Sequence, residues 1–91
     1  MIESEKTAAV HSYLKEHFDS CAVTDSYDPG TNSQVFRFQS GDSQRTAVVE
    51  KAFFEKHSAV AIPDILRRFL LAEHLRECNF PIVVTPTGLT D

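Results

Sequence analysis

Apolar residues recur every three or four positions at the start of the chain: Thr7, Val10, Leu14 and Phe18 fall in one phase, with Tyr13 and His17 widening the same face. That spacing predicts an amphipathic α-helix. Ser4 is placed to cap it, and Glu3 and Glu5 suit the positive end of its dipole. The helix is expected to end near Phe18. The period then changes to two. Cys21, Val23 and Tyr27 alternate with Ala22, Thr24 and Ser26 ahead of a DPG turn, which predicts a first strand over 21–27. A second strand follows over 33–40, with Phe36 and Phe38 on one face and Arg37 and Gln39 on the other.

The SGDS segment at 40–43 is short enough for a tight hairpin, so 44–51, with its TAVV centre, is expected to return antiparallel. Two registers are compatible with it. A two-residue loop of Gly41 and Asp42 pairs Phe36 with Ala47, and a three-residue loop places Thr46 and Val48 on the phenylalanine face. AFFEKHS reads as a helical turn that closes one end of the core with Phe53 and Phe54. Ser58 is suited to cap a helix running through Glu77, with Pro63 fitting its first turn. PIVVT, entered at Pro81, reads as a short last strand.

The helix over 62–77 carries more apolar surface than one stripe needs. With Ile62 as origin, Ile65, Leu66, Phe69, Leu70 and Ala72 fall within about 80° to either side and form the sheet-facing stripe. Leu71, Leu75 and Cys78 cluster within about 40° of the opposite direction. Either the first helix or the PIVVT segment folds over this second stripe, or another molecule does. In the latter case Leu71, Leu75 and Cys78 are the partner-binding residues.

The predicted order is helix, three strands, helix and a short C-terminal strand. The fold class is therefore α+β: a two-layer sandwich with both helices on one face of an antiparallel sheet. At 91 residues the chain forms a single compact domain, with its ordered core over about 4–89. The order is similar to that of double-stranded-RNA-binding domains, over most of the chain and in topology alone. The resemblance implies a nucleic-acid-binding module as the alternative function. Such domains carry a lysine cluster opening the second helix and a Gly-Pro-His-type loop between the first two strands, where this chain has AIPDILRRF and DPGTNS. The residues available to that alternative are Arg37, Arg45, Arg67 and Arg68.

Charge changes this picture. A formal net charge of −4 weighs against a partner whose phosphates must be neutralised, so nucleic acid is an unlikely partner and a protein or a second copy of the chain the expected one. Apolar runs are far shorter than the ~20 residues that cross a bilayer, and the acidic start does not resemble a signal peptide. Two isolated cysteines, Cys21 and Cys78, read as free thiols, consistent with a cytoplasmic location. His11, His17, His57 and His74 lack the spacing of metal ligands. On a helix His11 and His17 diverge by about 120°, with His17 at the core border and His11 toward water. His74 and Cys78 share a helical face, but a helix C-terminus favours imidazolium over thiolate, which works against a nucleophile. Glu73 and Glu77 read as a solvated face, and the three glycines stand alone rather than in a phosphate loop. No enzyme, metal or cofactor is expected, and a small non-catalytic interaction or regulatory accessory domain is.

Overall fold

Ser4–His17 forms the first helix, α1, and buries Val10, Tyr13 and Leu14, the face that the three- and four-residue spacing defines. The computed structural model describes residues 4–18, 22–40, 42–77 and 80–90, without the side chain of Ser40. Cys21 and Cys78 lie outside the described residues. Strand β1 covers Thr24–Asp28, β2 Ser33–Ser40 and β3 Ser43–Glu50. The chain then enters three short helices, α2 (Lys51–Lys56), α3 (Ile62–Phe69) and α4 (Leu71–Glu77), before β4 (Ile82–Thr85) and β5 (Gly88–Thr90).

The five strands lie in the order β1-β2-β3-β4-β5. Phe36 pairs with Ala47 and Ser40 with Ser43, the register of a two-residue connection. Phe36 and Phe38 are core residues, as their alternation predicts. The class is α+β with the helices packed on the sheet, but the sheet is mixed rather than antiparallel, because β4 runs parallel to β3. The cause is the connection. Parallel neighbours need a crossover of a dozen or more residues, and α2, α3 and α4 together supply one. The short β5 adds a hairpin at the sheet edge: Thr85 pairs with Gly88, and the Thr85 hydroxyl accepts the Gly88 N–H at 3.1 Å.

The largest departure is in the second helical segment, expected to be continuous to Glu77. It breaks at Leu70, which adopts φ 58° and ψ 40° in the left-handed region. The break resets the helical phase, so the wheel drawn through 62–77 does not describe 71–77. Leu71, Ala72 and Leu75 sit on one face of α4 and are buried, with Leu71 at 0% and Leu75 at 1% exposure. Of the two alternatives for the second stripe, covering within the chain holds for its described members: Leu71 and Leu75 are core, where α4 packs on β3. The break leaves α4 with an N-terminal N–H in need of a partner. The hydroxyl of Tyr13, from α1, accepts the Ala72 N–H at 3.1 Å, with the Leu66 carbonyl of α3 at 3.5 Å. Burial pushes the Tyr13 phenol above its ordinary pKa, and the bond from Ala72 partly offsets that rise.

Every buried apolar side chain from the helices belongs to one cluster with Phe36, Phe38, Ala47, Val49, Ile82 and Val84. These strand residues all point to one face of the sheet. Among the described residues, no helix is long and apolar enough to cross a membrane.

Candidate functional site

Residue parity along the strands separates two surfaces. On the face away from the helices, Ser26, Val35, Val48, Val83 and Thr90 form one cross-strand row. Val35 is buried without belonging to the helix-side core, and Val48 and Val83 are half-buried. One step toward one end of the strands lies the row of Thr24, Arg37 and Thr46. One step toward the other lies Asp28, Ser33 and Glu50. The bare face thus has an apolar centre, a cationic end and an anionic end.

The second surface is a groove of about 590 Å³ between α1 and the helix-side face of β1. Its floor is Asp25, Tyr27 and Gln34, and its wall includes Ala8, His11 and Ser12. Gln34 is buried, and its Nε2 donates to Asp25 Oδ2 at 2.5 Å. Tyr27 stands opposite Gln34 across the strands and donates its hydroxyl proton to Asn32 Oδ1 at 3.1 Å. His11, expected to face water, is half-buried. Its ring packs edge-on to Phe36 at 6.5 Å, and its Nε2 donates to the Val23 carbonyl at 2.8 Å.

The sequence carried a signal for this groove. Gln34 shares the parity of Phe36 and Phe38, and Asp25 shares that of Val23 and Tyr27. Polar residues at core-facing positions imply a stretch of sheet that the helices do not cover.

The four arginines are not brought together. Arg37 lies on the bare face. Arg45 points to the helix side, where its guanidinium donates to the Arg76 carbonyl at 3.3 Å. Arg67 is bound to Asp64 at 2.6 Å and Glu16 at 3.4 Å, and Arg68 is exposed on α3. His17 packs on Tyr13 with ring centroids 4.5 Å apart, and His74 turns its Nδ1 to the Leu70 carbonyl at 2.9 Å. His57 donates to the Pro86 carbonyl at 3.2 Å, tying α2 to the β4–β5 turn. Among the described residues, no three His, Cys, Asp or Glu side chains group as metal ligands would. Compared with protein-family models, curated proteins and solved structures, the chain matches none.

Proposed function

We propose that the chain is a non-catalytic, cytosolic interaction domain that self-associates through the bare face of its sheet. The observation that carries this reading is the order of the rows: valines at the centre, Arg37 at one end, Asp28 and Glu50 at the other. A two-fold axis lying along the valine row turns one copy over onto the other. It stacks valines on valines and reverses the strand ends. Arg37 of one copy then lies above Ser33 of its partner, between the partner's Asp28 and Glu50. The surface is self-complementary in its order of apolar and charged rows, as an isologous interface requires.

Area sets the strength. Five strands at about 4.8 Å spacing and five residues at about 3.4 Å rise give about 400 Å² per copy. Stable interfaces bury about 800 Å² per partner, so the dimer is weak and forms reversibly with concentration. Cytosolic placement is supported by the two isolated cysteines.

Sedimentation velocity from about 10 µM to about 1 mM tests the reading, since that span brackets the affinities expected of so small an interface. The wild type should pass from monomer to dimer. Val48→Lys, which places a charge on the solvent side of the sheet, should remain monomeric with its fold intact. Arg37→Glu should also remain monomeric, and Arg37→Glu with Glu50→Lys should recover the dimer. A wild type that stays monomeric throughout, or an Arg37→Glu variant that dimerises like the wild type, refutes the proposal.

A further inference from the structure

We infer that the groove between α1 and β1 is a binding site for an organic cation rich in N–H donors, a guanidinium or primary alkylammonium group. The inference is independent of self-association, because the groove opens on the opposite side of the sheet. It rests on which hydrogen-bonding valences the fold has already committed. A carbonyl only accepts, so the His11 Nε2 that meets the Val23 carbonyl at 2.8 Å carries a proton. In the neutral ring, Nδ1 is therefore a lone-pair acceptor. An ionised carboxylate cannot donate, so Gln34 gives Nε2 to Asp25 and keeps its Oε1 as an acceptor. Tyr27 gives its only hydroxyl proton to Asn32 and keeps an oxygen lone pair. Asp25 retains acceptor capacity on Oδ1.

Each of the four side chains thus keeps an acceptor, at His11 Nδ1, Gln34 Oε1, the Tyr27 oxygen and Asp25 Oδ1, and only the second N–H of the Gln34 amide remains as a donor among them. They are also neighbours. Tyr27 and Gln34 are directly opposite across the strands, Asp25 lies two residues from Tyr27 on the same face, and His11 packs on Phe36, the cross-strand partner of Asp25. Among the described residues, Asp25 is the one carboxylate lining the groove, and no lysine or arginine lines it. The Asp25 carboxylate favours a cation over an anion beside it. Calcium, which takes six to eight oxygen ligands and favours several carboxylates, is poorly served by a single one. A cation with several N–H groups matches both the charge and the acceptors, and the groove volume falls within the range of small-ligand sites.

The test is titration of the 15N-labelled chain followed by amide chemical shifts, with agmatine as a free cation and acetyl-Gly-Arg-Gly-amide as a protein-borne one. Saturable shifts centred on His11, Asp25, Tyr27 and Gln34 are expected, and the tighter of the two probes identifies the source of the cation. Asp25→Asn keeps an oxygen for Gln34 and should weaken binding by about tenfold or more, as loss of a charged acceptor does. Tyr27→Phe should weaken it by about threefold. Tetramethylammonium, with the charge but no N–H, should not produce the shifts. The inference falls if neither probe gives saturable shifts at tens of millimolar, if folded Asp25→Asn binds like the wild type, or if tetramethylammonium reproduces the pattern. Should Asp25→Asn fail to fold, Tyr27→Phe decides, with unchanged affinity overturning the site.

Discussion

Replacing Tyr13 with Phe tests the account of how the second helical segment breaks without leaving an orphaned backbone group. The substitution keeps the ring, its burial and its contact with His17, and removes one oxygen. That oxygen accepts the Ala72 N–H at 3.1 Å. Its approach to the Leu66 carbonyl is 3.5 Å, at the limit of a hydrogen bond and of little energetic weight. Ala72 is fully buried, so without the hydroxyl its N–H faces neither water nor an acceptor. A buried donor left without a partner costs about 1–3 kcal/mol, so about 2 kcal/mol is expected. For a domain of this size, each kcal/mol moves Tm by about 4–8 °C, which puts the loss at about 8–16 °C. Thermal and urea unfolding measure it, and amide hydrogen exchange localises it, since the Ala72 amide should lose protection more than the amides of β2 and β3. A Tm change of less than about 2 °C with Ala72 protection unchanged would refute the role given to the hydroxyl.

The same phenol makes stability depend on alkaline pH. Burial raises its folded-state pKa, so the folded chain holds the proton more tightly than the unfolded chain, and the contribution is complete below about pH 10 and is lost as pH climbs from there toward the folded pKa; the urea-midpoint gap between wild type and Tyr13→Phe should therefore narrow from about pH 8 to about pH 11. Leu71→Asp places an unpaired carboxylate in the core and should abolish the cooperative melting transition at neutral pH, whereas a folded variant would contradict the internal covering of α4. Leu70→Gly relieves a left-handed backbone at a side chain that is 49% exposed and should raise stability by about 0.5–1 kcal/mol in urea unfolding, with a loss arguing against the αL assignment. Phe38→Ala should lower stability by about 3 kcal/mol in the same assay, because its ring packs at 4.6 Å from that of Phe18 in the core.

What the sequence made legible follows from where its patterns were one-sided. Phe36 and Phe38 alternate with Arg37 and Gln39, so the inward face of β2 admits one reading. The TAVV centre of β3 has small or apolar residues on both parities, and its register needed the pairing itself. The partner of PIVVT is not written in its own residues, which is why the parallel β3–β4 pair and the mixed sheet were missed. At Leu70 the chain enters the left-handed region without the Gly or Asn that usually marks such a break, so the periodicity continued through it. Two stripes on one imagined helix are one stripe on each of two real ones. The groove was hidden for a related reason. Gln34 and Asp25 stood at inward positions as exceptions to a pattern, and exceptions acquire meaning only once the width of the helical layer is known.

That width explains why a groove exists beside β1. Packed helices lie 8–10 Å apart and paired strands about 4.8 Å apart, so two helices abreast cover about four strands. The sheet has five. α1 lies over β2, with His11 on Phe36 and Phe18 on Phe38, while α2 packs on β3 and β4, and α4 on β3. β5, at the far edge, is three residues long and turns Leu89 into the core. The strand left without a helix is β1. Its inward residues Asp25 and Tyr27, like the neighbouring Gln34 of β2, are polar where Phe36, Phe38, Ala47, Val49, Ile82 and Val84 are apolar, because a position beside a groove needs no apolar side chain. Polarity and lack of cover therefore have one cause, the mismatch between helix and strand spacing. The acceptors gathered beneath α1 are the chemistry that the mismatch leaves exposed.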